Sequence, residues 1–375
     1  MPESLSPDLL ALRDKAIRFA EEVLRPGAES LRRDESAKGV VLEHVRRESV
    51  ERGLFRMTQP RSHGGLESGP LALTVVRDTL AGYNTGLLGR LFGPPPGVLA
   101  DCPEPLRSSH LQALLDGRKR AGFAFTEPAD ATHFTTATPA GDVYVVRGRK
   151  SYVTGGRDAD FLNTVVDVPG RGRAVLVIDC DQPGVVIERT FASMDGSHHA
   201  AFRFDDVRVP ISHLIGVPGE GMPRAMRQIG DTRLAISAEA VGLARWTLEF
   251  VTAHLKAPHH SGEPLGAREG VRLRYADLRI RTYAARSALY RTARLAATGA
   301  NTVNEGIACK VFSTETLSDV VDGAIQLVGG QSLTVGHPLE RLYREARSLR
   351  LAEGASDVLR INLARGRLDL DKGVL

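Results

Sequence analysis

Residues Arg341–Arg365 read RLYREARSLRLAEGASDVLRINLAR. One carboxylate in this stretch, Glu353, stands among small residues, Ala352, Gly354 and Ala355, and follows Arg344, Arg347 and Arg350. Beyond it Leu359 and Leu363 repeat at helical spacing, and Ser356 or Asp357 is placed to cap the helix they announce. The pattern predicts a glutamate fixed at a loop-to-helix junction, where small neighbours let it face a cavity. A lone loop glutamate is more often solvated and paired with an arginine. Two other stretches weigh against that reading here.

The first is FAFTEP at 123–128, followed by GRKSYVTGG at 148–156; the second is AIQLVGG at 324–330, followed by HPLERLYRE at 337–345. With the terminal stretch, and in this order and spacing, they resemble the acyl-CoA dehydrogenase family. Its members usually end with an arginine and an acidic residue, then aromatic-Glu-Gly-Thr, then a helix finishing in Ile-Ala-Arg. The matching residues are Arg344 and Glu345, then Ala352, Glu353, Gly354 and Ala355, then Leu363, Ala364 and Arg365. The resemblance covers nearly the whole chain.

With 375 residues the chain has room for two or three domains and a sizeable core. Its composition, 42% hydrophobic and 25% charged, is that of a globular protein. Cys102, Cys180 and Cys309 are far apart and form no CxxC pair, so neither a disulfide framework nor a zinc site is expected. The early acidic residues, the lack of a secretory apolar core and the lack of any spanning run give a cytoplasmic expectation. The net charge of +4 comes mostly from dispersed arginines. Arg272, Arg274, Arg279, Arg281, Arg286, Arg291 and Arg294 crowd one helical segment, more simply a solvated face than a site for an anionic partner. Nucleic acid is not expected, because no basic stripe carries interleaved aromatics.

Along the chain, residues 1–120 read as helices. Asp8 is a candidate cap for the first, and Pro26-Gly27 its candidate end. From 121 to 220 short β-branched runs (VYVVRG, FLNTVVDV, AVLVIDC, GVVIE, AAFRFDDVRV) predict a β-sandwich or barrel. From 221 to 375 helical periods return, with Arg233 opening a long helix after Asp231; four long helices, the last after Glu353, predict a bundle. The expected fold class is α+β multidomain: an N-terminal helical domain, a middle β domain and a C-terminal four-helix bundle. The resemblance implies the same order, with a flavin between the β domain and the bundle, in a homodimer or homotetramer or in a heteromer with a paralogue.

Desaturating a thioester between its α and β carbons needs a base for the α proton and an acceptor for the β hydride. A buried carboxylate suits the first task, because desolvation raises its pKa towards the operating pH. Glu353 is the candidate base. No side chain accepts a hydride, so the resemblance implies FAD, an acyl-CoA or acyl-carrier-protein thioester, and an electron-transfer flavoprotein or other acceptor. By the same resemblance, the backbone N–H of Glu353 and a flavin ribityl hydroxyl would polarise the thioester carbonyl. By resemblance, Phe125, Thr126, Thr132, Tyr152, Thr154, Gln326, Gly329, Gly330 and Ala355 meet the cofactor, and Arg233, Ala352 and Gly354 meet the substrate. Tyr152 stands where the family has Trp, which adds an O–H needing a partner. Ala352 stands where an aromatic is usual, implying room for a bulkier or branched acyl group.

The departures are specific. After TEP the family's Gly-x-Gly-Ser-Asp is Ala129, Asp130, Ala131, Thr132 and His133 here. Its Arg-x-x-Phe-Gly and following Gln are replaced by Pro258, His259, His260, Ser261 and Gly262, with Glu269 at the Gln position. Losing an arginine and gaining a carboxylate both disfavour a pyrophosphate. A second reading follows: a protein on the same scaffold that completes a paralogue's site, or a flavin-free enzyme moving a proton through Glu353 in isomerisation, elimination or cyclisation. A flavin oxidase or monooxygenase is a weaker third. The pairs His198-His199 and His259-His260 lack further ligands at helical spacing, so no metal is expected.

Overall fold

The computed structural model describes residues 4–371. Four helices come first: α1 (Pro7–Phe19), α2 (Arg25–Arg33), α3 (Lys38–Glu51) and α4 (Pro70–Ala81). Two short pieces follow, α5 (Glu104–Leu106) and α6 (Gln112–Leu115). The strands are β1 (Ala121–Ala124), β2 (Thr136–Ala140), β3 (Val143–Thr154), β4 (Phe161–Val168), β5 (Gly172–Asp179), β6 (Val185–Ala192), β7 (His198–Pro210) and β8 (Leu214–Ile215). The chain ends in α7 (Gly221–Lys256), α8 (Glu269–Ala297), α9 (Val303–Val328), α10 (Pro338–Leu349) and α11 (Ser356–Leu368). Helices thus stand at both ends of the sequence and a mixed sheet in the middle.

Two compact units form. One holds the chain up to Met57, Ser68–Phe92 and the chain from Gly230; the other holds Thr58–Glu67 and Gly93–Ile229. In the second unit all eight strands join one sheet in the order β6-β7-β3-β2-β4-β5-β8, with β1 parallel to β4. Alternation along β3 and β7 buries Tyr144, Val146, Phe202 and Phe204 in its core. The register of β3 on β7 slips twice, between Val146 and Gly148 and between Lys150 and Val153. Gly148 is required at the first slip: its φ is +140° and a Cβ there would stand 2.6 Å from the Thr135 Cα.

In the first unit α7, α8 and α9 bury Leu243, Val251, Leu278, Leu317 and Val321 together with Leu339 and Leu342 of α10. A second cluster, Phe19, Leu24, Val45, Leu54 and Leu80, lies among α1 to α4. Asp78 of α4 is fully buried and ties these layers: Arg245 Nη1 donates to it at 2.7 Å, Arg286 Nη2 at 3.1 Å and Tyr290 Oη at 2.9 Å. Arg286 is therefore not part of a solvated α8 face.

Several local expectations are corrected. Ser6, not Asp8, caps α1, accepting from the Leu9 N–H. Pro26-Gly27 does not stop the helix. A π-helical turn over Ala20–Leu24 lets the Arg25 N–H reach the Ala20 carbonyl, and the chain passes from it directly into α2 with Pro26 as its second residue. Arg233 lies within α7, which begins at Gly221 rather than after Asp231. HPLERLYRE, read only as a motif, forms α10. Neither Ser356 nor Asp357 is the cap of α11: Ala355 holds that position with no side-chain bond, and the Ser356 hydroxyl turns back to the Arg350 carbonyl at 3.4 Å.

Candidate active site

On the helical unit the chain between α10 and α11 turns sharply at Glu353 and Gly354, whose φ values are +53° and +109°. A positive φ at glutamate is uncommon and costs free energy, so neighbouring contacts must hold it. Two buried cations supply them. Arg233 Nε of α7 donates to the Glu353 carbonyl at 3.1 Å. Lys310 Nζ of α9 donates to the Arg350 carbonyl at 3.0 Å and to the Gly354 carbonyl at 2.9 Å. Gly354 has little space for a side chain, since a Cβ would stand 3.0 Å from Leu359 Cδ2. Among the described residues the Glu353 N–H has no acceptor.

The electrostatics follow from burial. Desolvation lifts the Glu353 carboxyl above its usual range, against the pull of Arg233 and Lys310. The same burial depresses the Arg233 guanidinium and pushes Lys310 down to about 8, with the Arg233 charge adding to the latter. A carboxylate of raised basicity beside two cations is suited to taking a proton from an acidified carbon. Ala352 is half-buried beside it, and Ala355 forms the N-cap of α11.

On the sheet unit the two flavin-type motifs run side by side, the Ser151 N–H donating to the Thr126 carbonyl at 2.8 Å. Thr126, Tyr152 and Thr154 are all exposed, and Phe125 is half-buried. Tyr152 sits in the second slip of β3 with φ +55°, its ring edge-on to Phe191 at 5.4 Å between centroids. At 63% exposure its O–H meets solvent, so the partner expected for it is not needed. The Thr154 hydroxyl pairs with His199 Nδ1 at 3.3 Å, and Thr132 with His133 Nδ1 at 2.9 Å on the exposed turn.

One residue that the sequence reading did not single out joins these motifs. Lys150, fully buried, donates to the Phe125 carbonyl at 2.8 Å and to Glu127 Oε1 at 2.6 Å. Burial pushes it down to about 8 despite the Glu127 charge. Lys310 was missed in the same way. Lys310 lies inside the apolar run IACKVF, a signal that such a position must find buried acceptors, whereas Lys150 sits among polar residues in RGRKS and carries no such signal.

Elsewhere on the helical unit Gln326 is exposed near the end of α9, and Gly329, with φ +87° and ψ −169°, closes that helix. Added Cβ atoms at Gly329 and Gly330 would meet only open space. Pro258–Gly262 form a tight turn, where His259 Nδ1 lies 2.7 Å from Ser261 Oγ and Arg268 Nη2 donates to that hydroxyl at 3.2 Å. Glu269 is the first residue of α8, where a carboxylate complements the helix dipole. A cavity of about 80 Å³ is lined by Asn84, Thr85, Gly86, Glu239, Leu243 and Glu345. Burial, with Glu345 nearby, pushes the Glu239 carboxyl up to about 7 against the pull of Arg77.

Three family models match the chain in order: acyl-CoA dehydrogenase N-terminal domain at 6–95, middle domain at 122–207 and C-terminal domain at 219–368. The chain belongs to the acyl-CoA dehydrogenase family. It is similar to acryloyl-CoA reductase (NADH) of Anaerotignum propionicum, 27% identical over 380 residues, spanning 97% of this chain and 95% of that protein. A cyclohexane-1-carbonyl-CoA dehydrogenase of Geobacter metallireducens is 27% identical over 360 residues, 92% of this chain and 93% of the relative. The crystal structure of a probable acyl-CoA dehydrogenase from Mycobacterium abscessus superposes with a TM-score of 0.84 at 27% identity, covering 96% of this chain and 98% of that one. The family is one of oxidoreductases acting on carbon–carbon bonds, and the chain is an acyl-CoA dehydrogenase-like enzyme. No helix among its described residues is long and apolar enough to cross a membrane.

Proposed function

We propose that the protein dehydrogenates an acyl-CoA thioester between its α and β carbons, with Glu353 as the base for the α proton. The observation that carries this is the turn itself: a glutamate at φ +53° with its carboxyl basicity raised by burial and its backbone carbonyl fixed by Arg233. The free N–H of Glu353 suits it to donate to the thioester carbonyl while the carboxylate takes the neighbouring proton, stabilising the enolate-like charge as it forms. Burial raises the basicity of that carboxylate, and the Arg233 and Lys310 charges oppose the rise.

The residues fit FAD. Thr126 and Thr154 offer exposed hydroxyls and Tyr152 an exposed ring on adjoining segments, with Phe125 beside them. On the helical unit, Gln326 with the open space at Gly329 and Gly330 belongs, like Thr132 and Ala355, to the set of positions carried over from the family. Bound FAD supplies the acceptor for the β hydride. The lost arginine and the Glu269 carboxylate weaken the hold on a pyrophosphate rather than on the ring. The electron acceptor and a homo-oligomeric assembly follow from the same reading.

A half-buried Ala352 beside the base leaves room for a bulky acyl group, in keeping with the cyclic substrate in the name of the Geobacter relative. Ala352→Tyr is expected to lose activity on bulky thioesters and keep it on straight-chain ones; equal activity on both in the two proteins would refute the point. The base itself is tested by exchange of the substrate α proton in deuterated water, a reaction that needs no redox step. The protein is expected to exchange it and Glu353→Gln to fail; unaltered exchange in the variant would remove Glu353 from the role.

A further inference from the structure

We propose that Lys310 is a positioning residue, whose ammonium clamps the turn from behind and so aims the Glu353 carboxylate; the inference rests on Glu353 being the base. Three carbonyls of the turn, those of Arg350, Glu353 and Gly354, accept hydrogen bonds from two cations on two different helices. Lys310 takes the outer pair, on either side of Glu353, and Arg233 takes the inner one. Arg350 is the C-cap of α10, so the ammonium stands at the negative end of that helix, where a cation is favoured. Gly354 is the residue entering α11, so the same group joins the exit of one helix to the entry of the next. Lys310 is fully buried, and its two acceptors are main-chain oxygens rather than a carboxylate. It has therefore left water without an ion-pair partner in contact, a large penalty that packing alone would avoid with Leu or Met at this position.

The clamp has a geometric task because φ +53° at Glu353 is not self-sustaining. Without Lys310 the two outer carbonyls lose their donor, and the turn can relax to a negative φ that swings the carboxylate away. A misplacement of about 1 Å at a reacting group costs on the order of 100-fold in rate. The ammonium also contributes one of the two charges that restrain the basicity of Glu353, so its loss has a second, electrostatic signature.

The test uses the full chain with Lys310→Met, which keeps length and removes charge, and Lys310→Gln, which keeps one donor. Hydrogen–deuterium exchange of 351–356 reports the turn without any turnover. The kcat and KM for an acyl-CoA and the pH profile of kcat/KM report the chemistry. Lys310→Met is expected to exchange faster at 351–356 and to lose kcat on the order of 100-fold, with KM changed less than about threefold and the acid limb moved to higher pH. Lys310→Gln should fall between it and the parent protein. A parent-like kcat and acid limb in either variant, or a loss confined to stability, would overturn the positioning role. Failure of the underlying reading would look different: Glu353→Gln would keep its turnover while the exchange result at 351–356 still held.

Discussion

Replacing Glu127 by Gln leaves the buried Lys150 ammonium without its carboxylate. The substitution keeps the shape and one carbonyl oxygen, so the contacts from Lys150 Nζ at 2.6 Å and from the Thr135 N–H at 3.3 Å can persist as neutral hydrogen bonds. What is lost is the charge that opposes desolvation. Even with that charge, burial holds Lys150 at about 8 against an ordinary 10.5. At about 1.4 kcal/mol for each tenfold change in proton affinity, keeping it protonated in the folded state at pH 7 already costs roughly 3 kcal/mol. Removing one partner of a buried pair typically costs about 3–5 kcal/mol, and the retained amide oxygen moves the expected loss to about 2–3 kcal/mol at pH 7. The sign with pH follows from proton counts. Between the folded value and 10.5 the unfolded chain holds more protons on this lysine than the folded one, so stability rises with pH there. In Glu127→Gln that rise begins below pH 8, and near pH 10, where both proteins bury a neutral amine, the gap should close. Urea denaturation at pH 7 and pH 10 reads both values. A difference below about 0.5 kcal/mol at pH 7, or one as large at pH 10 as at pH 7, would refute the reasoning.

Asp78→Asn leaves Arg286 and Tyr290 facing an amide in a fully buried setting and should cost about 3 kcal/mol in chemical denaturation, Arg245 adding little because it is a third exposed. Gly354→Ala combines a φ of +109° with a Cβ 3.0 Å from Leu359, so a loss of about 1–3 kcal/mol is expected together with a marked fall in turnover; parent-like activity would contradict the tight turn. Glu353→Gln should be more stable than the parent at neutral pH. Its raised folded pKa means that the folded chain binds the extra proton, so stability falls as pH rises from the ordinary value of 4.5 through the raised one, and the amide removes that loss. Equal midpoints at pH 7 would show that the carboxylate is not desolvated.

The layout of helices, strands and helices was legible because β-branched alternation and 3.6-residue periodicity are local properties, as in AVLVIDC for β5 and in the long α7. The position of Glu353 at a loop-to-helix junction was legible through its small neighbours and the helical spacing beyond it. Other features were not, and the reasons are physical. The π-helical turn before Pro26 depends on main-chain bonds that no side chain advertises. Ser6 and Asp8 are both good caps, and the backbone angle at Ser6 decides between them. The slip of β3 that turns Tyr152 outward arises from pairing with β7, more than 40 residues away in sequence. Lys310 lies in an apolar run where a lysine is expected to be a breach in the core, and Lys150 in the polar stretch RGRKS where it is expected to be solvated; three-dimensional structure alone supplies their carbonyl and carboxylate acceptors.

The central claim is that Glu353 removes a proton so that an acyl thioester can be oxidised on this scaffold. The most direct measurement is the flavin absorbance of the FAD-loaded protein on anaerobic mixing with a panel of acyl-CoA thioesters, set beside Glu353→Gln with matched flavin content. Rapid bleaching in the parent and none in the variant is the expected result. Equal bleaching in both, or none in either despite stoichiometric flavin, would contradict it.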